Sequence, residues 1–117
     1  MASTAISKAE ARKHPRYPLA LLAQIRGLSV LTKDVSRSGV RLWCPSTSFQ
    51  PVFGKDLLRI HINLPEEGSF VAVCQMAYAR EYRNEYLVGL DFKKVELEHW
   101  AKFERLIEKL EGGAVPG

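Results

Sequence analysis

Two short segments hold residue types that can bind an anion with several hydrogen-bonding edges. The first is Arg12-Lys13-His14-Pro15-Arg16, with two arginines four positions apart. Pro15 fixes its own φ and pushes His14 out of the helical region, so the segment is extended. At ~3.3 Å per residue the two arginines sit on one side, roughly 13 Å apart. A guanidinium is always charged, forks onto phosphate or onto the O6/N7 edge of guanine, and stacks on a base. The second segment is Asp34-Val35-Ser36-Arg37-Ser38-Gly39. Asp34 and Ser36 share parity and so share a face of a strand. A carboxylate there can accept from a guanine N1–H and N2–H₂ edge, with a hydroxyl alongside. Gly39 permits a positive φ or a close backbone approach. Each segment also has a plain explanation: a solvated basic tail for the first, ordinary turn chemistry for the second.

Other constellations are weaker. His14, His61 and His99 are far apart, and none stands near a cysteine or carboxylate at metal-ligand spacing. No G-x-S-x-G, Walker or Rossmann pattern occurs, so the reading is a binding module and not an enzyme. Cys44 and Cys74 lie inside apolar stretches, as reduced core thiols do. Lys plus Arg number 17 against 13 acidic residues, a net charge of +4. That excess suits an anionic ligand without demanding a nucleic-acid polymer. No signal-like or membrane-length apolar run is present, so neither membrane insertion nor export is expected and the cytoplasm is the default location.

The elements that must position these residues follow from hydrophobic period. Leu19, Leu21, Ala23 and Ile25 alternate, and Gly27 ends that strand. Val30 to Ser36 and Val40 to Cys44 flank the Arg37-Ser38-Gly39 turn. Leu58, Ile60, Ile62 and Leu64 make a fourth strand, residues 70–82 a long fifth, and Tyr86 to Phe92 a sixth. The period then changes to three and four residues at Leu97, Trp100, Phe103, Ile107 and Leu110, a helix over about 95–111 stopped by Gly112-Gly113. Ser7 and Glu10 have capping-box spacing for a short helix that would be marginal alone. The expected fold is mainly β: a six-stranded antiparallel barrel with a C-terminal helix against its side or mouth. Residues 1–16 read as a flexible arm, 17–111 as barrel plus helix, and 112–117 as a tail.

The order of the two segments, one before the first strand and one after the second, resembles the PilZ domain. That family's signature is R-x-x-x-R followed by D/N-x-S-x-x-G, matched here by Arg12 and Arg16 and by Asp34, Ser36 and Gly39. Val88-Gly89-Leu90-Asp91-Phe92 looks like the family's last strand, and the resemblance spans about residues 10–111. It implies a barrel that binds cyclic di-GMP, with no cofactor. Arg12 and Arg16 would hold phosphates and guanine edges, Asp34 and Ser36 would meet guanine, and Gly39 would shape the turn. Lys13 and Arg37 are candidates to add charge, and Tyr78 and Arg80 to flank a base. The ligand is expected to order the arm and to create a surface for an unidentified effector protein. Two other readings stand beside this one. One is a PilZ-like adaptor that binds protein and no nucleotide, against which the intact arginines argue. The other is a small barrel binding single-stranded nucleic acid through Trp43, Phe49 and Phe53, against which the charge balance argues.

Overall fold

The computed structural model describes residues 14–51 and 56–113. Arg12, Lys13 and the Ser7–Glu10 capping box lie outside the described residues. Among the described residues seven strands and one helix follow in order: β1 (Tyr17–Pro18), β2 (Leu22–Ile25), β3 (Leu28–Ser36), β4 (Gly39–Pro45), β5 (Leu57–Leu64), β6 (Gly68–Tyr82), β7 (Glu85–Lys94) and α1 (Leu97–Glu111). Six of them close an antiparallel barrel in the order β3-β2-β5-β6-β7-β4, with β4 returning to β3. The two-residue β1 is an addition on β3, pairing Tyr17 with Val35 and Pro18 with Asp34.

Alternation sets the barrel wall. On β5, Leu58, Ile60, Ile62 and Leu64 are buried and the residues between them are exposed. Val35, Val40, Leu42, Phe70, Val88 and Leu90 fill the centre. The β2–β3 hairpin turns on Arg26 and Gly27, both at positive φ, the conformation a two-residue hairpin between twisted strands requires. Thr32 braces the approach to the barrel: its hydroxyl donates to Leu19 O at 2.6 Å and accepts from Leu21 N–H at 2.8 Å. The chain leaving Arg16 is thereby tied to β3 on both sides of Ala20.

The turns β3–β4 and β5–β6 emerge at the same barrel end, and α1 lies across that end. Phe103, Leu106 and Ile107 are its buried residues. Phe103 stacks on Phe70 with centroids 4.8 Å apart and meets Phe92 edge-on at 5.3 Å. The apolar stripe is narrower than its period implies. Leu97 is 85% exposed, because it precedes the turn that touches the barrel, while Leu106 takes a core place. Ion pairs from both turns hold the helix: Arg37 to Glu104 and Glu111, and Glu67 and Glu66 to Arg105 and Lys109. Two further contacts reach the start of β6. His99 Nδ1 accepts from Val71 N–H at 3.3 Å, and Lys102 Nζ donates to Ser69 O at 3.2 Å.

Candidate functional site

The site begins with a break in alternation. Val30 and Thr32 face inward on β3, so strict parity would send Asp34 and Ser36 inward too. The β3–β4 register shifts between Thr32 and Asp34, making Lys33 the extra residue of a bulge. Val35 then takes the inward place against Val40, and Asp34 and Ser36 face outward opposite Arg41 and Gly39. A second shift, between Met76 and Tyr78, does the same on β6. Met76 stays inside, while Tyr78 and Arg80 come out opposite Gly89 and Leu87.

The result is an outer face laid out in cross-strand rows over β6, β7, β4 and β3. One row reads Gln75, Asp91, Gly39, Ser36; the next Tyr78, Gly89, Arg41, Asp34; the third Arg80, Leu87, Trp43, Leu31. With strands ~4.8 Å apart and alternate residues ~6.8 Å apart, the face is roughly 14 Å on a side. Asp34, Ser36, Gly39, Tyr78 and Arg80 therefore share one face of the sheet, with Asp34 and Ser36 themselves buried in it.

Asp34 is the electrostatic centre. Its side chain is 5% exposed and is bonded on both oxygens. Arg41 Nε donates to Oδ1 at 3.0 Å and Oδ2 at 2.9 Å, and Arg41 Nη2 adds a further bond to Oδ2. Arg16 Nη1 donates to Oδ1 at 3.2 Å. The Arg41 guanidinium is held even more firmly protonated than usual, first by the bonds to Asp34, with burial opposing and Tyr78 adding a smaller favourable contribution. Arg80 lies 5.4 Å from the Tyr78 ring centroid, a cation–π contact.

The two glycines of this face are needed for space. A Cβ on Gly39 would stand 2.0 Å from Leu90 O, so β4 could not approach β7 there with any side chain. Close approach is thus its role, and not a positive φ. A Cβ on Gly89 would stand 2.4 Å from the Tyr78 ring, which lies across it. Ser36 closes the turn from within: Oγ accepts from Ser38 N–H at 3.2 Å and reaches Gly39 O at 3.3 Å. Arg37, in the same turn, points to the helix. Its Nε meets Glu104 at 3.0 Å and its Nη2 meets Glu111 at 3.0 Å, away from Asp34.

Against known families, the PilZ domain model matches residues 10–109. The chain belongs to the PilZ domain family. Among solved structures, the PilZ chain resembles the Bacillus subtilis inhibitor of motility MotI/DgrA at TM-score 0.70 and 16% identity, covering 86% of this chain and 51% of that one. It resembles MrkH, described as a c-di-GMP-dependent transcription regulatory factor, at TM-score 0.69 and 20% identity, covering 88% and 52%. Borreliella burgdorferi PlzA, in complex with c-di-GMP, follows at TM-score 0.55 and 16% identity, covering 97% and 58%. These likenesses are of fold, and the PilZ chain spans little more than half the length of each. No curated protein sequence matches it.

The sequence alone did not single out Arg41; it offered Gly89 only as part of the last strand and Trp43 only for the nucleic-acid alternative. For Arg41 a signal existed: a two-residue turn at Arg37-Ser38 pairs Ser36 with Gly39, and counting back places Arg41 opposite Asp34.

Proposed function

We propose that this PilZ chain is a receptor for cyclic di-GMP that acts on a partner protein through ligand-dependent ordering of its N-terminal arm. The observation that carries the reading is the Arg16–Asp34 contact at 3.2 Å, which joins the arm motif to the barrel motif. The ligand is a dianion with two purines. Its phosphates are neutralised by Arg12 and Arg16, whose forks also reach guanine O6/N7. Asp34, held in place by Arg41, accepts from the guanine N1–H and N2–H₂ edge. Ser36 and Gly39 set the turn beside it, Tyr78 and Arg80 flank a base, and Lys13 adds charge. Arg37 stays with the helix. Binding exchanges Arg16 from Asp34 to the ligand, so the arm of residues 1–16 is re-aimed over the barrel of residues 17–111. The MrkH and PlzA complexes with c-di-GMP support the ligand class. The reading places a receptor, not a catalyst, in the cytoplasm.

Calorimetry with cyclic di-GMP, GMP and a short oligonucleotide tests it. Cyclic di-GMP alone should bind tightly, and Arg16→Ala or Asp34→Ala should weaken binding by about tenfold or more, the loss expected of a charge-assisted pair. Tight binding that survives Arg16→Ala sinks the assignment. Equal backbone order of residues 7–16 with and without saturating ligand sinks the arm mechanism alone.

A further inference from the structure

A second polar concavity lies where β5, β6 and the start of α1 meet. It shares no residue with the Asp34 face. Arg59, His61, Lys94, Glu96 and His99 line it around a floor of Val71, Ala72 and Val73. Its geometry comes from the sheet. Arg59, Val73 and Lys94 are cross-strand neighbours on β5, β6 and β7, so two long cationic side chains flank one small apolar residue. His61 is two residues from Arg59 on the same side of β5, roughly 6.8 Å along the strand. His99 leans in from α1. Its Nδ1 is occupied by Val71 N–H, so in the neutral ring the proton is on Nε2, which is a donor.

Most cations near this barrel end are already engaged. Arg37, Lys102, Arg105 and Lys109 all bond to carboxylates or carbonyls. Among the described residues the side chains of Arg59, His61 and Lys94 have no hydrogen-bond or ion-pair partner, and all three are exposed. Two like charges on either side of a valine repel, and an anion lying between them would offset that repulsion. Glu96, the one carboxylate among the described lining residues, is itself exposed to solvent.

We propose that this concavity binds a compact phosphate-bearing anion, with Arg59 and Lys94 as charge partners and His61 and His99 as N–H donors. A guanidinium fork, an ammonium and two imidazoles offer donors from several directions, which suits the tetrahedral oxygens of phosphate better than a planar carboxylate. Among the described residues no Phe, Tyr or Trp lines the concavity and the two imidazoles serve as N–H donors, so the recognised group is the phosphate and not a base. The site is independent of the cyclic di-GMP reading and would stand if that reading failed.

The test is an NMR titration of the histidine side chains of the intact chain with inorganic phosphate and with pyrophosphate, against sodium chloride at matched ionic strength. The expected result is saturable shifts of the His61 and His99 resonances with the phosphates and none with chloride. In Arg59→Gln/Lys94→Gln, binding should weaken by about tenfold or more, while cyclic di-GMP affinity should match that of the unaltered chain. Both positions are exposed, and unchanged amide shifts elsewhere certify the fold; each single variant gives the same reading if the double one is lost. Shifts that fail to saturate, that chloride reproduces, or that survive the double substitution overturn the proposal.

Discussion

Replacing Arg41 with alanine should destabilise the barrel more than its position on the outer wall suggests. Asp34 is 5% exposed and Arg41 supplies its two-pronged partner, with Nε at 3.0 and 2.9 Å from the carboxylate oxygens. Removing one member of a buried ion pair costs about 3–5 kcal/mol, because the other charge is left buried. Two features reduce that figure here. Arg16 remains at 3.2 Å, and the Arg41 side chain is 25% exposed, so water enters its place. About 2–3 kcal/mol is then expected. Asp34→Ala should cost less, about 1–2 kcal/mol, since both arginines it frees can reach solvent. The double variant should fall short of the sum by about 1.5–3 kcal/mol, the worth of charged hydrogen bonds. Urea unfolding followed by Trp43 and Trp100 fluorescence measures all three, with an unchanged m-value as the sign that compactness is unaltered. A shift below about 0.5 kcal/mol for Arg41→Ala, or a coupling near zero, would refute the view that Asp34 depends on it.

Three other expectations can be checked. Gly39→Ala puts a methyl 2.0 Å from Leu90 O, which is backbone and cannot swing away; about 3 kcal/mol or more should be lost, seen as a fall of roughly 10 °C in the melting temperature, and a melting curve like the parent's would show that β4 and β7 can part freely. Burial pushes the Cys44 thiol up to about 11 and the Cys74 thiol up to about 12, with Glu85 and Asp91 adding smaller upward effects, so at pH 8 both stay protonated and iodoacetamide should label them at the rate of unfolding; rapid labelling of the folded chain would contradict their burial. The carboxyls of Glu67 and Glu111 titrate below the ordinary range, chiefly through the bonds from Arg105 and Arg37. Their contribution is complete above the unfolded value of about 4.3 and is lost as pH falls through the lower folded values. Hydrogen exchange at pH 6 and pH 3 should therefore show α1 losing protection before the strands, and uniform loss would count against the ion pairs as its tether.

The barrel was legible because β5 alternates without interruption and because Gly27, Gly39 and the Pro65–Gly68 stretch mark the turns. The helix was legible from Phe103 and Ile107. Its contact face was misjudged at Leu97, since a periodic pattern does not say where a helix first touches its support. The site was half legible. The residue types of Asp34 and Ser36 pointed to it, but their outward direction depends on Lys33 being an extra residue. A bulge leaves no mark in a hydrophobic pattern. The same holds for Ala77, which brings Tyr78 and Arg80 to the Asp34 face. Arg37 looked like one more cation beside the motif. What claims it is Glu104 and Glu111, 67 and 74 residues away, and no local rule reaches that far.

The contacts of His99 and Lys102 with β6 have a further consequence. β7 pairs with β6 only as far as Val73, so the first residues of β6 have a strand on one side alone. Val71 N–H and Ser69 C=O belong to that open edge, and helix side chains occupy them where a neighbouring strand would. An uncovered strand edge is a template for another chain. The helix thus guards the barrel against strand exchange as well as closing its core. A partner or substitution that lifted α1 would release both the aromatic cluster around Phe70 and a pairing edge, and the first product would be an oligomer joined through β6 before any general unfolding.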